Sequence, residues 1–248
     1  RVEDLLKKMS LKDKISQLYG HGLSTDANDS LGIPGFLMTD GSNGVRTEQA
    51  TSFGAGVSLA ATWDTLLAVK VAKAIAEEVK GKGLNMLLGP CVNPHRLPSG
   101  GRNFESYSED VYLSARMGVN FIKAIQNENV VACVKHYAGN EQEWERNNVN
   151  SVIDERSLRE AYLYPFEAAV KEAGVLSVMS AYNKINGSYA SENKYLLTDI
   201  LKNDWKFKGF VVSDWDATHS TVESAINGLD VEMPQPVYFG EKLMEAVK

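Results

Sequence analysis

Apolar residues along this chain fall into short runs separated by longer stretches of helical spacing, and the alternation predicts strands followed by helices. Runs bounded by Gly, Pro and polar residues predict strands at 35–38, 84–88, 130–134, 175–179, 209–213 and 229–233. Between them, apolar positions such as Leu66, Leu67, Ile75 and Val79 predict a helix over 63–80, closed by Gly81 and Gly83. Ser108, Glu109 and Asp110 start a second helix that runs to about 126. A third spans 154–173 with Pro165 as a kink, and a fourth spans 192–203 with Ser191 as its cap. The N-terminal helix, from Val2 to about Leu18, restarts at Ser10 and Asp13. Six strand-then-helix units imply parallel strands with right-handed crossovers and helices outside. A closed barrel needs eight strands, and 17–20 and 55–57 are weak candidates for the other two. The expected fold is therefore a single-domain α/β, TIM-like (β/α) barrel over 1–248, irregular or incomplete at its ends.

At 248 residues and 44% hydrophobic content the chain can bury a sizeable core. A balance of 26 basic to 32 acidic residues, with no basic stripe, argues against a nucleic-acid partner. No apolar run reaches the roughly 18 residues of a membrane span. The chain opens on Arg1 with no signal-peptide pattern, which leaves its compartment unassigned. Cys91 and Cys133, in or beside predicted strands, read as buried small hydrophobes. Four scattered His residues lack ligand spacing, so neither a metal nor another cofactor is expected. The Gly-rich turn from Thr39 to Arg46 lacks the phosphate-loop Lys and carries Asp40, which would repel phosphate.

A β/α barrel presents its chemistry where strands end. In chain order those ends carry Asp40 and Arg46, Arg96 and Arg102, Lys135 and His136, Tyr182, Asp214 and Trp215, and Glu232. Asp214 alone could equally be a helix cap, but five other strand ends are polar in the same way. Carboxylates, guanidinium groups, an ammonium and an indole together suit a polyhydroxylated ligand. Lys135 reads either as a Schiff-base amine or as the partner of Asp214. The second is preferred, because a neighbouring ammonium would lower the Asp214 pKa and keep it an anionic nucleophile.

The segments Thr39-Asp40-Gly41, Leu59-Ala60-Ala61-Thr62-Trp63-Asp64, Gly101-Arg102-Asn103-Phe104-Glu105, Lys135-His136-Tyr137-Ala138, Ser180-Ala181-Tyr182-Asn183 and Val212-Ser213-Asp214-Trp215 occur in the order and spacing of family 3 glycoside hydrolases. The whole chain resembles the N-terminal barrel domain of a β-glucosidase of that family. The resemblance implies retaining hydrolysis of terminal non-reducing β-D-glucosyl residues from a β-glucoside or oligosaccharide, with Asp214 as nucleophile. It also implies that Asp40, Arg102, Lys135 and His136 hold sugar hydroxyls, that Tyr182 hydrogen-bonds near the nucleophile and that Trp215 lines the pocket. Arg46 lies in a matching segment without a firm role. The run 138–143 departs from the acid/base loop of the family's N-acetylglucosaminidases and sides with its glucosidases. In those the acid/base Glu comes from a C-terminal α/β domain, expected here as the rest of the enzyme or a second chain. Glu143, Glu145, Asp216 and Glu232 each read as a loop ion pair or a cap. A β-xylosidase or arabinofuranosidase of the same family is the first alternative, although Asp40 favours a hexose. A non-catalytic sugar-binding barrel is the second.

Overall fold

Ser10 divides the N-terminal segment into two helices, Val2–Lys8 and Leu11–Ser16, in a computed structural model that describes residues 1–248. Its hydroxyl accepts from the Asp13 N–H at 3.1 Å while the Asp13 carboxylate accepts from the Ser10 N–H at 2.9 Å, a reciprocal cap. Asp64 caps Thr65–Gly81 by accepting from the Leu66 and Leu67 N–H groups, and Asp110 caps Val111–Asn127 by accepting from Leu113. The region around Pro165 breaks as expected: a π-wound turn, Leu158–Tyr162, precedes the helix Tyr164–Lys171. The fourth helix differs. It is the π-wound segment Tyr195–Asp204, and Asn193 supplies its cap by accepting from the Leu196 N–H at 3.1 Å. Ser191 sits in the preceding turn and donates instead to the Ala217 carbonyl at 2.5 Å.

The strands are β1 (Gly20–His21), β2 (Ser24–Thr25), β3 (Met38–Asp40), β4 (Met86–Leu88), β5 (Val131–Tyr137), β6 (Asn150–Ser151), β7 (Ser177–Ser180), β8 (Lys184–Ile185), β9 (Ser188–Tyr189) and β10 (Phe210–Ser213). Five of them form one parallel sheet in the order β10-β7-β5-β4-β3. The predicted strand at 229–233 extends this sheet through a parallel bridge from Val231 to Val212. Its other edge bridges Glu232 to Tyr19 in parallel. From Tyr19 the chain enters β1, turns into antiparallel β2, and Ser24 bridges Leu37 at the foot of β3. The ring thus closes through a short hairpin, giving a TIM-like α/β barrel in which one staple is antiparallel. Of the two weak candidates, 17–20 joins the barrel. The 55–57 stretch does not, because it begins the helix Gly56–Ala60, whose first residue packs beside the Glu105 and Ser106 carbonyls. Residues 35–37 pair with the hairpin, which shifts the strand after them to Met38–Asp40: Thr25 N–H donates to the Phe36 carbonyl at 2.9 Å.

Barrel strands point side chains alternately in and out, so both faces are apolar. Inside lie Met38, Met86, Leu88, Cys133, Met179, Val212, Val231 and Met233. Between strands and helices lies the larger core, which includes Ile75, Val79, Phe121, Ile125, Phe166, Leu197 and Ile200. The three-stranded sheet β6-β8-β9 stands apart from the barrel sheet, in the segments that follow β5 and β7. No helix is long and apolar enough to cross a membrane.

Gly209, which leads into β10, has a geometric reason to lack a side chain. A Cβ there would lie 2.0 Å from the Leu176 carbonyl oxygen, a backbone atom that cannot move without shifting β7. Gly209→Ala is expected to destabilise the fold by about 2 kcal/mol, the scale of an overpacked core. Thermal unfolding checks it, and an unchanged midpoint would show that the two strands separate freely.

Candidate active site

At the C-terminal ends of the parallel strands the barrel opens into a cavity of about 370 Å³, within the range of small-molecule sites. All seven residues expected there line it: Asp40 from β3, Arg102 from the loop after β4, Lys135 and His136 from β5, Tyr182 after β7, and Asp214 with Trp215 after β10. Arg46 lines it too. Arg96 and Glu232 do not. Arg96 opens onto a separate recess with Glu141 and Tyr162, and Glu232 is buried, its carboxylate accepting from the Tyr238 and Phe239 N–H groups. Glu143 pairs with Arg146 at 2.6 Å and Glu145 accepts from Asn148, so both hold the loop rather than face the cavity. The Asp216 backbone lies at φ 62 and donates its N–H to the Met233 carbonyl, and the residue is absent from the cavity wall.

Lys135, 3% exposed, points its ammonium at Asp40 Oδ1, 2.5 Å away, and not at Asp214 as the strand ends suggested. Its strand lies between β3 and β10, and the side chain turns to the β3 side. Asp40 also accepts from Arg46 Nη1 at 2.9 Å and from the Gly41 N–H. Burial would raise the Asp40 pKa, but the Lys135 and Arg46 charges outweigh it and hold the carboxyl below its usual range. Burial would likewise lower the Lys135 pKa, and the Asp40 and Glu105 charges reverse that, so the amine stays protonated. An ammonium so held has no lone pair for Schiff-base chemistry.

Asp214 stands in the opposite situation. Burial raises its carboxyl pKa, against the opposing pull of the Trp215 N–H and the Lys135 charge. Oδ1 accepts from the Trp215 N–H at 2.7 Å, while Oδ2 makes no hydrogen bond of normal geometry; the Tyr182 hydroxyl is the neighbouring donor, close enough to pull the carboxyl pKa down against burial. The nearest basic atom to Oδ2 is His136 Nε2 at 3.6 Å. Burial, with the Arg102 and Lys135 charges, holds His136 well below the ordinary imidazole pKa, so the ring is neutral at physiological pH. Arg102 is fixed by the buried Glu105, which accepts from its Nε. The Trp215 indole donates to the Gly22 carbonyl at 3.0 Å, so the hairpin that closes the barrel also orients this ring.

Four cavity residues lay outside the expected set: Leu88 and Met179, apolar residues of β4 and β7, together with Arg146 and Leu23. Arg146 lies with its guanidinium 4.3 Å from the centre of the Tyr182 ring, a cation–π contact beside Asp214. Its signal was the Glu143 three residues earlier in a long loop, legible as an ion pair but not as a rim. Leu23 reaches the cavity from the β1–β2 turn, and no local pattern could have announced it.

The two carboxylates respond oppositely to pH. The depressed pKa of Asp40 adds stability that is present above its unfolded value of about 3.9 and lost as the pH falls through its folded value. The raised pKa of Asp214 subtracts stability at neutral pH, and the deficit is relieved as the pH falls through that folded value and is gone below the unfolded value of about 3.9. Asp214→Asn keeps an acceptor for the Trp215 N–H and removes the buried charge. It is therefore expected to gain about 1 kcal/mol, or about 2–4 °C in melting midpoint, as site residues often do when function is removed. A lower midpoint at neutral pH would contradict this.

Fold and cavity together define a TIM-like α/β domain with one polar, sugar-sized mouth at its strand ends. Residues 7–237 match the glycosyl hydrolase family 3 N terminal domain, and the chain belongs to that family. It is 46% identical over 256 residues to a beta-glucosidase of Rhizobium radiobacter, covering 100% of this chain and 31% of that relative. It is 43% identical to thermostable beta-glucosidase B of Acetivibrio thermocellus, covering 100% of this chain and 35% of that relative. Among solved structures, the beta-glucosidase of Kluyveromyces marxianus in complex with glucose superposes with a TM-score of 0.96 at 40% identity, over 99% of this chain and 31% of that one. Beta-glucosidase 3B of Thermotoga neapolitana in complex with glucose gives 0.94 at 39% identity, over 99% and 39%. The chain thus spans about a third of the length of the relatives it matches.

Proposed function

We propose that this chain supplies the nucleophile and the sugar-holding half of a retaining β-glucosidase site, acting on terminal non-reducing β-D-glucosyl residues. The observation that carries the reading is the free oxygen of Asp214. Asp40 and Glu105 are each paired with a cation, whereas Asp214 has no Lys or Arg paired with it and its Oδ2, buried at the cavity wall beside the Tyr182 hydroxyl, makes no hydrogen bond of normal geometry. Leaving a buried carboxylate oxygen without a partner costs stability, and such groups persist where chemistry uses them.

In the proposed reaction Asp214 Oδ2 bonds to the anomeric carbon as the glycosidic C–O bond breaks and the leaving oxygen takes a proton from a general acid. Water then cleaves the glycosyl–aspartate ester, with the deprotonated acid as base. Arg102, Lys135 and Arg146 donate to sugar hydroxyls, Asp40 accepts from them, and Trp215 packs on the C–H side of the ring. The only other carboxyl lining the cavity is Asp40, and two cations keep it ionised, which disqualifies it as proton donor. The acid/base is assigned to the rest of the enzyme, present as a further domain or a second chain.

The isolated chain should therefore release phenolate from an aryl β-glucoside with a good leaving group and turn over cellobiose slower by about 10²- to 10⁴-fold, the usual contribution of general acid catalysis. Cellobiose turnover at a rate comparable to the aryl glucoside would place a complete acid/base on this chain and overturn the division.

A further inference from the structure

Behind the wall formed by His136 and Arg102 lies a small polar chamber bordered by Asn93, Asn140 and Glu141. Asn93 grips His136 at three points. Its Oδ1 accepts from the His136 N–H at 2.7 Å, its Nδ2 donates to the His136 carbonyl at 3.0 Å, and Oδ1 also faces ring atom Nδ1 at 3.4 Å. The second Nδ2 hydrogen goes to Glu141 Oε1 at 3.1 Å. Both Nδ2 hydrogens are thereby used, and the amide has one permitted orientation.

We propose that Glu141 is a positioning residue: through Asn93 it fixes His136 as the Nδ1–H tautomer, leaving Nε2 as a bare acceptor beside the free oxygen of Asp214. An amide oxygen can only accept, so the Nδ1 that faces it is stable when it carries the proton. A neutral ring protonated at Nδ1 has its lone pair at Nε2. That atom lies 3.6 Å from Asp214 Oδ2, and in this tautomer the ring offers Oδ2 no proton, consistent with Oδ2 making no hydrogen bond of normal geometry and having the Tyr182 hydroxyl as its neighbouring donor. Two acceptors across one gap select a donor between or beside them, and the class of group that fits is a sugar hydroxyl giving its proton to Nε2. Cys91 Sγ lies 3.8 Å from Nδ1, but its thiol proton is directed at Asn93 Oδ1 at 3.4 Å, and burial pushes its pKa up to about 12, so it stays a thiol. Burial pushes Glu141 up to about 7 against the Asn93 N–H, in keeping with a carboxyl enclosed behind the site.

The catalytic consequence rests on the reading of Asp214 as nucleophile, whereas the tautomer does not. Long-range ¹H–¹⁵N spectra of the chain, with His136 assigned by its loss in His136→Gln, should show the Nδ1–H pattern at neutral pH. An Nε2–H pattern in the unmutated chain overturns the proposal without any variant. Glu141→Ala and Asn93→Ala should move the signal towards Nε2–H, while Glu141→Gln, which keeps an acceptor for Asn93, should preserve it. Cys91→Ala should leave it in place, and a shift there would assign the proton to the thiol contact instead. Trapping of Asp214 by a 2-deoxy-2-fluoro aryl glucoside should slow about tenfold in Glu141→Ala, the usual scale for an outer partner that orients a site group, and recover in Glu141→Gln. A folded Glu141→Ala that keeps both tautomer and trapping rate refutes the proposal. Absence of trapping in the unmutated chain refutes the nucleophile reading alone.

Discussion

Asp214→Gly is expected to cut aryl β-glucoside turnover by at least about 10⁴-fold, the scale of losing a covalent nucleophile. The reaction proposed for this cavity passes through a bond to Asp214 Oδ2, and no neighbouring group can substitute. Asp40 is tied to Lys135 and Arg46, Glu105 is tied to Arg102, and the His136 imidazole is oriented by Asn93. In the proposed reaction the remaining groups bind and polarise the sugar but form no covalent intermediate. Removing the carboxylate also leaves a small space at the wall. Added azide should enter it, attack the anomeric carbon of an activated β-glucoside and restore turnover, releasing the α-glucosyl azide because only one displacement has occurred. Product stereochemistry by proton NMR is the decisive measurement. Rescue with inverted configuration identifies the missing group as the nucleophile and shows that the rest of the site is intact. A variant that keeps its activity, or a folded variant that azide does not rescue, would remove Asp214 from that role.

Lys135→Met should cost about 3 kcal/mol of stability, the lower end of what breaking one side of a buried ion pair costs. For a chain of this length that is a fall of about 6–12 °C in melting midpoint. Met keeps the apolar stem, so the loss isolates the charge. Asp40 would keep Arg46, which is largely exposed, and lose the enclosed ammonium 2.5 Å away. The same change should raise KM for a glucoside, because Asp40 and Lys135 are both proposed to hold hydroxyls. Adding Asp40→Asn to Lys135→Met should destabilise by less than the two single changes summed, since the second removes the charge that the first stranded. Lys135→Arg should not restore the parent, because a planar guanidinium does not fit where a compact ammonium is 3% exposed. Lys135→Met melting with the parent would show that the pair contributes nothing to the fold.

The strands at 84–88, 130–134, 175–179 and 209–213 were legible because each is buried on both faces and reads as an apolar run, whatever its neighbours do. The cap at Asn193 was missed because Ser191 and Asn193 both suit a cap locally, and only the contact of Ser191 with Ala217, 26 residues on, decides between them. Glu232 stands at a strand end like Asp214, yet the chain beyond it folds back and covers its carboxylate with backbone N–H groups. Arg96 and Arg102 share one loop, and Glu105 draws only the second into the cavity.

From its order of residues alone, this chain determined a β/α barrel with polar strand ends, because period and burial are local properties that each segment carries by itself. It also determined that Asp40, Arg102, Lys135, His136, Tyr182, Asp214 and Trp215 would share one rim, since strand direction fixes which end each occupies. Tertiary structure decided the rest. It closed the barrel with an antiparallel hairpin, gave Lys135 to Asp40 rather than Asp214, and brought Arg146 over Tyr182. Those outcomes depend on distances between segments far apart in the chain, and electrostatic partners are chosen by proximity in space, which no local pattern encodes.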